Sequence, residues 1–283
     1  MVRAGEAAVL EAWRGLGYYR RARSLHAAAV RIVEAHGGRV PSDPQALQSL
    51  PGVGRYTAGA VASIAFGQRQ PIVDGNVMRV LARLADRREP VADALGQAWC
   101  WAQATELVQV AHRPGVTNEA LMELGATLCT PRTPACDRCP LRSHCRSRKA
   151  GSQSQVPVPR TPPRRSELVL HALVDIRRGR VALQRRASGL WQGLLMPPLG
   201  EAPPGAAAAR VARGLGGARA RRRWAEVTFE TTHRRIRFIV WSAEMPAGMK
   251  VAWIPIARLR ERAVPAAALR VIEAARQARA ESC

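Results

Sequence analysis

Four cysteines packed into one short stretch, Cys129, Cys136, Cys139 and Cys145, constrain this chain more than any other feature. Their spacing, C-x6-C-x2-C-x5-C, brings four soft sulfur donors together, which suits a tetrahedral zinc ion or a cubane iron–sulfur cluster. Spacing alone leaves both open. The intervening residues add to the reading: Pro131, Pro134 and Pro140 bend the chain around the ligands, and Arg132, Arg138, Arg142, Arg146 and Arg148 surround them with positive charge. An electron carrier would instead offer its partner a bare surface. His144 lies inside the loop, but beside a fourth cysteine it reads as a solvated side chain. Cys100 and Cys283 lie outside and read as a core residue and a tail residue. Clustering of this kind points to metal ligation in a reducing compartment rather than to disulfides.

At 283 residues the chain suits two domains of ordinary size. From Glu6 to Lys149 the pattern is helical, with Ala-rich segments broken by Gly37-Gly38, Pro41, Pro44, Pro51-Gly52, Pro71 and Pro114-Gly115, so an all-α domain is expected over residues 1–150. Residues 151–166 are rich in Pro, Ser and Gln without apolar periodicity and read as an extended linker. Beyond it, Leu168–Ile176 and Arg180–Gln184 read as strands joined at Arg178-Gly179, and Val227–Ser242 is strand-like. Ala206–Leu215 and Ala266–Ala280 read as helices. A smaller α/β domain is expected over 167–283.

Lys plus Arg number 44 against 21 Asp plus Glu, a formal net charge of +23 with an excess in both halves, which implies a polyanionic partner, nucleic acid first. Coding bias accounts for arginine in place of lysine, which stands only at Lys149 and Lys250, but not for the excess itself. No run of 18 apolar residues is present to span a bilayer, and the N-terminus lacks signal-peptide order, so a cytoplasmic protein without a membrane partner is expected.

Three further strings carry chemistry. In Leu50-Pro51-Gly52-Val53-Gly54-Arg55-Tyr56-Thr57-Ala58 a glycine turn opens a helix, an arrangement that lets backbone N–H groups approach a phosphate. In Pro71-Ile72-Val73-Asp74-Gly75-Asn76-Val77-Met78-Arg79 a carboxylate stands where a helix begins. Asp74 reads either as the cap of that helix or as the group stabilising a positively charged sugar during glycosidic cleavage, and one residue can do both. Asn76 is placed to position it. In Trp13-Arg14-Gly15-Leu16-Gly17-Tyr18-Tyr19-Arg20-Arg21-Ala22-Arg23 aromatic rings stand close to cations, suiting either core packing or a ring that wedges into an opened base step while arginines hold phosphates.

Together, and in this order, these strings and the cysteine loop resemble the helix-hairpin-helix glycosylases of the endonuclease III superfamily. The GLGYY string resembles adenine DNA glycosylases of the MutY type. The resemblance implies a multidomain protein: an all-α helix-hairpin-helix domain whose loop at 129–145 holds a [4Fe–4S] cluster, then a Nudix-like domain. It implies base-excision repair of adenine opposite 8-oxoguanine or guanine in double-stranded DNA, by a bacterial protein acting as a monomer. Catalysis falls to Asp74, Tyr56 and Asn76, and DNA contact to Tyr18, Gly52, Val53, Gly54, Arg55 and Arg79. A Tyr at position 56, where the lyase branch carries a Schiff-base lysine, implies a glycosylase without strand cleavage.

Downstream, Ser188-Gly189-Leu190-Trp191-Gln192-Gly193-Leu194 resembles a string of the MutY C-terminal domain, and no Nudix hydrolase box is present in the sequence. The family's Phe-Ser-His lesion-reading loop aligns with Thr231-Thr232-His233, which makes Thr232 and His233 the expected lesion contacts and removes the aromatic, for which Phe229 is a candidate substitute. The family's N-terminal helices, with the glutamate that protonates adenine, precede the position of Met1, and neither Glu6 nor Glu11 matches it. The expectation is an N-terminally truncated form of doubtful activity, an impaired lesion-binding fragment being the alternative.

Overall fold

The computed structural model describes residues 1–158, 165–203, 205 and 218–281. The expected helix at 206–215 and the tail Cys283 lie outside them. The chain packs as two units: Ala27–Pro162, and Met1–His26 together with Pro163–Cys283.

The helical unit takes in most of α2 (Tyr19–His36), followed by α3 (Pro44–Gln48), α4 (Arg55–Ala60), α5 (Gly75–Ala85), α6 (Ala94–Val110), α7 (Pro114–Glu123) and α8 (Arg146–Ala150). Aspartates start three of these helices. Asp43, Asp74 and Asp93 accept from the backbone N–H of Ala46, Val77 and Gly96, each at 2.7 Å, and such caps are each worth about 0.5–2 kcal/mol. At the other end of α6 the Arg69 guanidinium donates to the carbonyls of Val108 (3.1 Å) and Ala111 (2.8 Å). Helices α4 and α7 each run on into a π-turn, Val61–Ala65 and Leu124–Leu128. The core joins α5, α6 and α7 through Val77, Val80, Leu81, Cys100, Ala104 and Leu121. Cys100 is fully buried as expected, and burial pushes its thiol pKa up to about 11.

The segment read as an extended linker departs from that reading over its described first half. Gly151 closes α8 in a left-handed conformation, the Ser152 hydroxyl donates to Asp86 Oδ1, and Val156 is buried in the core of the helical unit. Composition concealed this because one serine and one valine hold the segment, through partners some 70 residues away.

In the second unit β1 (Ser166–Val174) pairs in parallel with β7 (Arg234–Glu244) and antiparallel with β5 (Leu199–Glu201), while β6 (Arg219–Glu230) flanks β7 antiparallel at the sheet edge. In the other sheet β3 (Arg180–Arg185) pairs with β2 (Ile176–Arg177), β4 (Leu195–Met196) and β8 (Ala252–Pro255). Arg178 and Gly179 both hold positive φ, 47° and 71°, as a two-residue hairpin between β2 and β3 requires.

The helix at Ala266–Ala280, here α9, falls where the sequence placed it. Its buried positions 267, 268, 271, 272 and 275 form one stripe, packed on the alternating Ile236, Phe238 and Val240 of β7. Strand β6 begins eight residues earlier than the apolar pattern suggested, because the run Arg219–Arg223 joins the ladder by its backbone while its arginine side chains face solvent.

Residues 1–26, assigned from sequence to the helical domain, are helical as expected and make their contacts with this β-rich unit. Leu10 of α1 (Gly5–Ala12) and Ala22 are buried with Leu194 and Ala263, with Trp13, Tyr19 and Trp191 around them. Among the described residues no helix is long and apolar enough to cross a membrane.

Candidate active site, ligand loop and nucleic-acid cleft

Asp74 ends a loop without regular structure and caps α5, so its carboxylate is fixed by the helix it starts. Oδ1 accepts from the Val77 N–H at 2.7 Å and Oδ2 from Asn76 Nδ2 at 3.2 Å. Asn76 is held in turn: its Oδ1 accepts from Arg79 at 2.7 Å. Gly125 of the second π-turn lies so close to Asn76 that an added Cβ would come within 2.7 Å of the Asn76 Cβ, so no larger residue fits there without movement. Asp74 is half-buried, with two donors on its carboxylate.

Arg79, expected from the sequence at the DNA, spends much of its guanidinium within the unit, donating to the carbonyls of Gly125 and Cys129 at 2.7 Å each as well as to Asn76. Burial lowers its pKa from the ordinary arginine value. Arg79 therefore ties the first ligand-loop cysteine to the residue that orients Asp74. The Tyr56 hydroxyl likewise goes elsewhere than Asp74, donating to Met122 Sδ at 3.3 Å.

In the hairpin, Gly52 holds φ 78°, a conformation disfavoured for any residue with a Cβ. Val53 anchors the turn to the apolar cluster of Leu47, Leu50 and Ala58, and Gly54 stands at the start of α4. Arg55 stacks on the Trp101 ring, 3.9 Å from its centroid, and remains exposed.

Cys129, Cys136, Cys139 and Cys145 line one cavity with Leu128, Pro134, Ala135, Arg83, Arg142, Arg148 and Gln153. Arg83, 2% exposed, donates to Cys129 Sγ at 3.3 Å and also to the carbonyls of Thr130 (2.7 Å), Pro131 (3.0 Å) and Val156 (2.8 Å). This one side chain braces the start of the loop. Four thiols around a common cavity, donors aimed at sulfur and cationic walls suit an anionic iron–sulfur core.

The β-rich unit holds a separate open cleft of about 1000 Å³. Its walls come from Gly15–Arg20, Arg23, Arg165, the Gly189–Gln192 turn, Phe229–Thr232, Arg234 and the start of α9. Tyr18, 70% exposed, hydrogen-bonds Thr232 Oγ1 at 3.2 Å, and the Arg21 guanidinium lies 5.2 Å from its ring centre. Two of the described non-glycine residues with positive φ, Tyr18 (46°) and Trp191 (60°), both line this cleft, and backbone strain of this kind gathers at binding sites. Thr232 is thus brought to Tyr18. The His233 side chain is not part of the lining, and its carbonyl accepts from the Ser166 N–H at 3.1 Å.

Phe229 lines the cleft but is committed to the fold: Arg270 lies 5.5 Å from its ring centre and Trp191 meets it edge-on at 6.4 Å. Arg23 closes the aromatic and basic string that the sequence singled out, but its partner Gln192 Oε1, to which its guanidinium donates, and the gathering of Arg165 and Arg234 at the same rim were not foreseen. Their charge was visible in the sequence, but no local pattern marked their convergence.

Three family models match the chain. They are the HhH-GPD superfamily base excision DNA repair protein over residues 1–95, the iron-sulfur binding domain of endonuclease III over 129–145, and the NUDIX domain over 171–274. A human protein named adenine DNA glycosylase is 50% identical over 149 residues, 52% of this chain and 27% of its own length. One from Mycobacterium tuberculosis is 47% identical over 166 residues, 58% of this chain and 52% of its own. The chain thus aligns with about half or less of these relatives.

Proposed function

Since this chain belongs to the MutY-type family of adenine DNA glycosylases, we propose that it hydrolyses the N-glycosidic bond of adenine paired with 8-oxoguanine or guanine in double-stranded DNA, without cutting the strand. The observation that carries this reading is the Asp74 carboxylate, fixed by the Val77 amide and the Asn76 side chain on a helix start. As the bond from the sugar to the base breaks, positive charge grows on the sugar, and a prepositioned carboxylate stabilises it. Adenine departs taking a proton from another group, water adds its oxygen to the sugar carbon, and the proton that this water loses replaces the one given to adenine. Tyr56 has no amine for a Schiff base, so the sugar leaves as an intact abasic site.

In this reading the Gly52–Arg55 hairpin holds a backbone phosphate. Tyr18 enters the duplex, and the cleft beside it with Thr232 receives the oxidised base. The helical residues 1–150 carry the chemistry and residues 167–283 the check on the opposite base, in a monomer. The four cysteines bind one [4Fe–4S] cluster, which would brace the loop on which Arg79 pulls. Purified protein is then brown, with about four irons per chain; zinc without iron would refute the assignment. The activity test is single-turnover adenine release from an 8-oxoguanine:adenine duplex. Lesion-selective binding without release would make the chain a lesion-binding protein instead.

A further inference from the structure

The loop that delivers Asp74, residues 68–73, has no helix or strand to satisfy its backbone, yet Ile72 and Val73 are buried. The Gln68 and Gln70 amides find the carbonyls of Ala62 and Gln68, and the next polar groups, the Gln70 carbonyl and the Ile72 N–H, are met by one side chain. Asn118, in the middle of α7 and fully buried, accepts from the Ile72 N–H through Oδ1 at 3.2 Å. Through Nδ2 it donates to the Gln70 carbonyl at 2.8 Å and to Ser63 Oγ at 2.9 Å. An N–H can only donate and a carbonyl only accept, so the amide has one possible orientation.

Ser63, also buried, belongs to the π-turn that continues the hairpin helix α4. Gly59 of α4 lies against the Pro71 carbonyl at a distance that leaves no room for a Cβ. The same α7 runs on to Gly125, which presses on Asn76 from the other side of Asp74.

We propose that Asn118 is a positioning residue for Asp74, fixing the upstream end of its loop to the hairpin helix while α5 fixes the downstream end. The claim rests on the role given to Asp74 above and adds to it: seating of the hairpin on a phosphate and placement of the carboxylate are joined through Ser63 and Asn118. Leaving Ile72 N–H and the Gln70 carbonyl without a partner frees the loop, because buried backbone groups then gain by opening to water.

Two variants test this. Asn118→Asp keeps the acceptor for Ile72 but sets an oxygen against the Gln70 carbonyl; Ser63→Ala removes only the link to the hairpin helix. Hydrogen exchange is read at Ile72, at Val77, whose amide donates to Asp74, and at Ala104 in α6 as a control. Asn118→Asp is expected to speed exchange at Ile72 and Val77 about tenfold or more with Ala104 unchanged. Adenine release falls by about ten- to a hundredfold while duplex affinity stays within about twofold. Ser63→Ala moves the same readouts less, and it carries the test should Asn118→Asp fail to fold.

Unchanged exchange at Val77 in both variants overturns the proposal, as does a loosened loop with adenine released at the parent rate. If the parent protein releases no adenine, the glycosylase reading fails, while exchange at Val77 still decides whether Asn118 holds Asp74.

Discussion

The helical unit and the β-rich unit build their candidate sites in opposite ways. Around Asp74 the functional groups sit within a few residues of one another, and helix starts aim them: Asp74 caps α5, and Asn76 and Arg79 follow on its first turn and just beyond. The cleft of the β-rich unit instead collects residues 15–20, 23, 165, 189–192, 229–232, 234 and 265–267. No stretch of sequence contains it. A site aimed by backbone geometry should lose chemistry while keeping its fold when one atom is changed, whereas a site assembled by packing should respond in small, distributed steps.

The sharpest break of that contrast is Asp74→Asn. Asparagine caps a helix about as well as aspartate, so thermal stability and iron content should hold. Single-turnover adenine release should fall by about 10²–10³-fold, the size of a lost prepositioned charge. Parent-like release would remove Asp74 from the chemistry.

Next in size is Arg79→Ala, which strands the carbonyls of Gly125 and Cys129 and frees Asn76. Loss of such partners costs about 1–3 kcal/mol per buried group. Chemical denaturation should show the loss, and iron should be released faster to a chelator. Unchanged stability would return Arg79 to the surface role first expected of it.

Tyr18→Phe probes the cleft. It removes one exposed hydrogen bond, to Thr232, worth about 0.5–1.5 kcal/mol, so preference for an 8-oxoguanine:adenine duplex over guanine:adenine should drop several-fold in a binding titration, with stability untouched. A hundredfold change would mean that this cleft behaves as the Asp74 site does.

The smallest effect concerns Asp86. The Ser152 hydroxyl above all, with Arg88 and Ser147, holds its carboxyl below the ordinary range. Its contribution is complete above the unfolded carboxylate value of about 3.9 and disappears as pH falls through the lower folded value. Proteolysis of the 152–158 segment should therefore accelerate only in that acid window, and Asp86→Asn should bring the acceleration to neutral pH.

Legibility of these features from sequence followed the range of the forces. The hairpin turn, the cap at Asp74, the cysteine loop, the hairpin at Arg178-Gly179 and the buried stripe of α9 depend on glycine conformations, capping oxygens, sulfur donors and apolar periods, all of them local. The inward turn of Arg79, the Met122 partner of Tyr56 and the docking of residues 151–158 had no local signal. Each depends on a carbonyl, a sulfur or a carboxylate delivered by another element.

By itself, then, the sequence determined the order of elements, the cysteine loop and the family, because a short motif carries its own backbone geometry and donor chemistry. Only the tertiary structure decided that residues 1–26 pack in the β-rich unit, that Tyr18 meets Thr232 there, and that Asn118 and Arg79 grip the Asp74 loop from its two ends. A buried donor must find an acceptor wherever the fold supplies one, and that acceptor stands tens to hundreds of residues away along the chain.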